Sequence, residues 1–121
     1  MKKILVVDDE QDVCDILSKK LAQNDYDVKV LTAGRDVVSQ CRTDKPDCIL
    51  LDVVLKDTDG YTVSEELRQN EELSGVPIIF MSGKDLDVAQ MSKISSRMGV
   101  CDFITKPCAF SEVLEKIKKF V

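Results

Sequence analysis

Four short apolar runs, Ile4–Val7, Cys48–Leu51, Ile78–Met81 and the weaker Phe103–Ile104, set the strongest limit on what this chain can fold into. Each is nearly uninterrupted, the pattern of a strand buried on both faces. Asp27–Leu31 alternates instead, with Val28 and Val30 pointing one way, and reads as an edge strand. Helical spacing fills the intervals. Val13, Ile16, Leu17 and Leu21 share one face of a first helix, and Val37, Val38 and Cys41 suggest a second. Val63 and Leu67 begin a third, Leu86 through Met98 a fourth, and Val113, Leu114, Ile117 and Phe120 a fifth. Strand and helix thus alternate five times across 121 residues. Alternation with short connections specifies a parallel sheet covered on both faces, because right-handed crossovers lay each helix over the strands it joins. We expect an α/β fold in a single domain over residues 1–121, with no output domain after the fifth helix.

Charge and rare residues narrow the function. A formal net charge of −5 and no dense Lys/Arg stripe argue against nucleic acid as a direct partner. The first apolar run is four residues long and is followed by carboxylates, so neither a signal peptide nor a membrane span fits, and the expected location is the cytoplasm. Five cysteines with no CxxC pair suit neither a disulfide framework nor a zinc site, and read as small buried filler. The chain has no histidine, so its chemistry must run on carboxylates, hydroxyls and lysines.

In open α/β sheets the site lies at the carboxyl ends of the strands, so the residues that follow each apolar run matter most. They are Asp8-Asp9 after the first run, Asp52 after the second, Ser82-Gly83 after the third, and Thr105-Lys106-Pro107 after the last. Three carboxylates, a hydroxyl and an ammonium then share one crevice. Carboxylates so close repel, and Lys106 offsets only part of that charge. Magnesium, or manganese in its place, suits the set, because it takes oxygen ligands and binds through one or two carboxylates and a phosphate oxygen. Such an ion and an in-line carboxylate are most of what phosphoryl transfer requires. Asp52, on a central strand, is the nucleophile of choice, with Asp8 and Asp9 left to hold metal. Lys106 would pair with the phosphoryl charge, and Ser82 would donate to a phosphoryl oxygen. Taken singly, each residue has an ordinary use: a helix cap for Asp9, a turn for Ser82, a solvated lysine for Lys106, core packing for Phe103. Their joint placement favours chemistry.

The same residues carry a resemblance. Ile4-Leu5-Val6-Val7-Asp8-Asp9-Glu10, Ile49 through Leu55 with Asp59-Gly60, Pro77 through Gly83, and Gly99 through Pro107 occur in the order and spacing of the receiver domains of two-component response regulators. The chain resembles that CheY-like family over essentially its whole length. The resemblance implies the flavodoxin-like strand order 2-1-3-4-5. It also implies that Asp52 is the phosphoacceptor and that Asp8, Asp9, Asp52 and the backbone carbonyl of Val54 bind metal. Ser82 and Phe103 would form the switch pair, Lys106 would pair with phosphate, and the Lys106–Pro107 bond would be cis. Implied partners are a histidine kinase or histidine phosphotransfer protein as donor, docking on the first helix near Val13 and Cys14, and a downstream protein target. The output surface would be the fourth helix, fifth strand and fifth helix, and the protein a monomer or a phosphorylation-dependent dimer.

Four departures from the family pattern stand out. Lys56 replaces a usual proline, which should loosen the loop after Asp52. Cys108 replaces an aromatic, Phe103 lacks the hydroxyl of the commoner tyrosine, and Val54 and Lys84 sit where the family controls the water that attacks the phosphoaspartate. Val54 cannot orient that water, so a long-lived phosphoryl group is expected. Two other readings fit less well. A dehalogenase-type hydrolase would want a DxD motif and a cap domain, and a Rossmann module would want glycines where Asp8-Asp9-Glu10 stands. A pseudo-receiver that is never phosphorylated would have little use for the intact set Asp8, Asp9, Asp52, Ser82 and Lys106.

Overall fold

The computed structural model describes residues 1–83, 101–106 and 108–121. Five parallel strands, β1 (Lys3–Val7), β2 (Asp27–Leu31), β3 (Cys48–Asp52), β4 (Ile78–Ser82) and β5 (Cys101–Thr105), form one sheet in the order β2-β1-β3-β4-β5. This is the flavodoxin-like order expected. Helices α1 (Gln11–Gln23), α2 (Val37–Thr43), α3 (Gly60–Gln69) and a C-terminal helix (Phe110–Lys118) pack on it, with 3-10 turns at Gly34–Asp36 and Glu71–Leu73. The helix expected over Leu86 to Met98, Lys84 and the Lys106–Pro107 bond lie outside the described residues.

The alternation of side chains along each strand sorts the core into two layers. Leu5, Val7, Ile49, Leu51, Ile78 and Phe80 face α2 and α3. Ile4, Val6, Cys48, Leu50, Ile79, Met81 and Ile104 face α1 and the C-terminal helix. Every residue of β3 and β4 is buried, as uninterrupted apolar runs require. Strands β3, β4 and β5 each extend one residue past their apolar runs, because backbone pairing continues after the side chains turn polar.

One helix expectation and one cysteine expectation need correction. Helical spacing puts Ile16 on the buried face of α1, but it is 56% exposed; Cys14, Leu17 and Leu21, at i, i+3 and i+7, make the seam instead. Cys14, Cys41 and Cys48 are buried filler as expected, with thiols that burial pushes up to about 11, about 11 and about 12. Cys108 is not, being only partly buried.

Candidate functional site

The same alternation that sorts the core also builds the site. Asp8 continues the series Ile4, Val6; Asp52 continues Cys48, Leu50; Lys106 follows Ile104 by two. All three therefore emerge toward the α1 side, at the carboxyl ends of β1, β3 and β5. Strands β1 and β3 are also the pair at which the strand order reverses, the place where such sheets open a crevice.

Asp8 is 1% exposed and Asp52 6%, and the Lys106 ammonium bridges them, with Nζ 2.7 Å from Asp8 Oδ2 and 3.1 Å from Asp52 Oδ2. Backbone amides take the remaining oxygens: Glu10 N–H donates to Asp8 Oδ1 at 3.0 Å and Val54 N–H to Asp52 Oδ1 at 3.1 Å. The buried Cys14 thiol donates to the Asp8 carbonyl at 3.2 Å. Burial raises the Asp52 pKa, with a contribution from the charge of Asp8, even though Lys106 and the Val54 amide pull it down. Burial also opposes the charge on Lys106, but its hydrogen bonds to Asp8 and Asp52 outweigh this and keep it protonated.

Two aspartates that are neighbours in sequence thus have different surroundings. Both Asp8 oxygens are committed, one to a lysine and one to an amide. Asp9 is half-buried and lines an open groove, and among the described residues nothing engages its carboxylate. Ligand oxygens of Asp8, Asp9 and Glu10 lie within 4.8 Å of one another. Carboxylates gathered beside one bridging ammonium form an all-oxygen, under-compensated donor set that fits a hard divalent cation. Glu10 had been read only as part of a motif.

The loop after β3 is closely built. Val54 and Asp59 form an antiparallel bridge, and Asp59 caps α3 by accepting from Thr62 N–H and Thr62 Oγ1, each at 2.9 Å. Gly60 N–H donates to Val53 O at 2.8 Å, and a Cβ on Gly60 would stand 2.5 Å from the Asp52 carbonyl oxygen. Glycine is required there by close approach. The loop is also held at Asp57, whose carboxylate accepts from Gly34 N–H at 3.0 Å and Arg35 N–H at 2.9 Å. This tie lies next to Lys56, at a point of which the sequence pattern gives no hint.

Ser82 and Phe103 fall in the opposite register from Asp52 and lie on the α2–α3 side of the sheet. Ser82 is 7% exposed, and its carbonyl accepts from Lys106 N–H. Phe103 stacks on Phe80 with centroids 5.2 Å apart, and Phe80 in turn meets Tyr61 at 5.3 Å. The Val54 side chain is 69% exposed at the mouth of the site. From that mouth a groove of about 900 Å³ runs between α1 and the C-terminal helix, past Val13, Ile16, Lys20 and Phe110. Cys14 is not on it, so of the two residues expected near a docked donor only Val13 lines the surface.

The profile of the response regulator receiver domain matches residues 4–118. The chain belongs to the response regulator receiver domain family. Receiver domains are phosphoacceptor signalling domains of two-component systems that bind magnesium at an acidic pocket and work with histidine kinases and downstream targets. Among solved structures, the BeF3-activated N-terminal receiver domain of Klebsiella pneumoniae RstA is 28% identical with a TM-score of 0.85, over 98% of this chain and 97% of that one. The receiver domain of a signal transduction histidine kinase from Syntrophus aciditrophicus is also 28% identical at 0.85, over 99% and 89%. Vibrio cholerae CheY4 reaches 0.91 at 20% identity over 100% and 99%, a likeness of fold. Among the described residues, no helix of this receiver domain is long and apolar enough to cross a membrane.

Proposed function

We propose that this receiver domain accepts a phosphoryl group on the Asp52 carboxylate and relays the event to a partner protein by changing shape. The reading rests above all on the Lys106 ammonium held between Asp8 and Asp52 in a buried acidic crevice that opens into a groove. An Asp52 oxygen attacks phosphorus and an O–P bond forms. The bond from phosphorus to the donor breaks, at nitrogen for a phosphohistidine and at oxygen for an acyl phosphate, and the donor leaves with that electron pair. Lys106 pairs with the charge on the phosphoryl oxygens, and the Ser82 hydroxyl donates to one of them. Asp9, Asp52 and the Val54 carbonyl would hold magnesium or manganese, with Asp8 completing the acidic set and anchoring Lys106. The ion, when bound, supplies charge neutralisation for the phosphoryl donor.

Since this chain has no histidine, the phosphoryl group comes from outside it, from a phosphohistidine on a kinase or phosphotransfer protein or from a small phosphoanhydride-like molecule. Drawing Ser82 toward the phosphoryl group frees space on the side where Phe103 packs, which gives the signal a route to the face around β5 and the C-terminal helix. The protein acts in the cytoplasm, as a monomer or a phosphorylation-dependent dimer. With no polar group on Val54 to orient an attacking water, the phosphoryl group should persist for longer than seconds. Intact mass after incubation with acetyl phosphate tests the reading. We expect the gain of one phosphoryl group that needs magnesium and is absent in Asp52→Asn; no gain from either acetyl phosphate or a kinase would favour a receiver fold that is never phosphorylated.

A further inference from the structure

We propose that Asp57 is a positioning residue that sets the metal-binding geometry of the site by clamping the loop after β3 to the turn that precedes α2. The inference rests on the function proposed above. The loop from Val54 to Asp59 is a narrow hairpin, closed at its base by the Val54–Asp59 bridge. Its base carries the two groups that matter, the Val54 carbonyl and the Val54 N–H that orients Asp52 Oδ1. The far part of the hairpin has Lys56 where a proline would fix the backbone, so its position must come from contacts.

Those contacts converge on one short segment, Gly34-Arg35. Both Asp57 oxygens are used, one on each amide, so the carboxylate is held in a fork and cannot rotate without losing a bond. Two charge-assisted hydrogen bonds to backbone N–H groups are strong for a loop contact, and they hold the Asp57 pKa below the ordinary aspartate value. The apolar side of the same joint is equally close. A Cβ on Gly34 would stand 2.4 Å from Thr58 Cγ2 and 3.0 Å from both Leu55 Cδ1 and Val63 Cγ2. The hairpin therefore seats directly on the Gly34 backbone, and Asp57 sits beside that seat. Since Gly34-Arg35 opens the 3-10 turn leading into α2, whose Val37 and Cys41 are fully buried, the clamp ties the hairpin to a fixed part of the core. Releasing it would leave the hairpin held at its base alone, so that the backbone at Val54, and with it the carbonyl proposed to bind metal, is placed less firmly. Removing a group that orients a metal ligand costs metal affinity, and Asp57 touches neither the Asp52 carboxylate nor Lys106.

Manganese binding, followed by the electron paramagnetic resonance of the free ion, tests the clamp without requiring phosphorylation. Wild type, Asp57→Ala and Asp57→Asn are compared, with melting temperature measured on each. We expect Asp57→Ala to raise the manganese concentration at half-occupancy about 5- to 10-fold, at or below the low end of the range for groups that contact a ligand directly. Asp57→Asn, which keeps one acceptor oxygen, should fall between, and acetyl phosphate labelling at saturating metal should stay within about twofold of wild type, as expected of a residue acting through affinity. Equal half-occupancy in wild type and Asp57→Ala overturns the inference. So does a loss in Asp57→Ala that Asp57→Asn does not partly recover, or that follows the melting temperature. A wild type that binds manganese but accepts no phosphoryl group counts against the proposed function alone, because the comparison of variants still holds; a wild type that binds no metal overturns both.

Discussion

The two ends of the sheet use the same residue types to opposite purposes. At the amino ends of β1 and β2, Asp44 pairs with Lys3 and stands 3.8 Å from Lys29, while Asp47 accepts from Lys3 N–H at 2.7 Å. The two lysines there are 46% and 55% exposed, and the Lys3 hydrogen bond lowers the Asp44 pKa. At the carboxyl ends, Asp8 and Asp52 are buried and share one ammonium, and burial raises the Asp52 pKa. The exposed cluster is ordinary surface pairing, worth little and screened by salt. In the buried cluster desolvation opposes the charges that are kept, which is expected where chemistry rather than stability selects the residues.

The difference can be broken from either end. Lys106→Ala leaves Asp8 and Asp52 facing each other uncompensated, and should cost about 3 kcal/mol in urea unfolding, at the low end for breaking a buried pair because the lysine is partly solvated. Gly60→Ala drives a Cβ against the Asp52 carbonyl and should cost about 2 kcal/mol, the scale of overpacking against a backbone that cannot yield. It should also impair labelling at Asp52, since the atom displaced belongs to that residue.

Asp44→Ala should have the smallest effect, a slight fall in melting temperature that disappears at high salt. The two ends should also respond to acid with opposite signs. Asp44 has a lowered folded pKa, so its contribution is present above the unfolded value near 3.9 and is lost as pH falls through the folded one. Asp52 has a raised folded pKa, so the folded state takes up protons first, and its destabilising contribution is relieved as pH falls through that pKa. Subtracting the stability–pH curve of Asp52→Asn from that of the wild type should leave a component that falls with rising pH; the Asp44→Ala subtraction should leave one that rises.

These features were unequally legible in the sequence. The parallel sheet and the convergence of Asp8, Asp52 and Lys106 follow from uninterrupted apolar runs and from the residues just beyond them, whereas the strand order came only with the family resemblance, because strand periodicity carries direction and burial but not which strands are neighbours. Asp8 and Asp9 were indistinguishable, since only the pleat decides which turns inward to the lysine. Ile16 and Cys14 exchanged places because both suit a helical seam and the choice depends on where the C-terminal helix leaves a groove. The Asp57 clamp gave no signal at all. A loop carboxylate has no period, and its partners are amides 22 and 23 residues away that look alike in any sequence.

Melting temperatures of the wild type and Asp52→Asn, each in EDTA and in saturating magnesium, test most directly the claim that the buried acids are kept for function. In EDTA the variant should melt at or above the wild type, because it removes a buried charge, and magnesium should raise the wild type while leaving the variant almost unmoved. A variant that melts below the wild type in EDTA, with magnesium shifting both alike, would contradict the account.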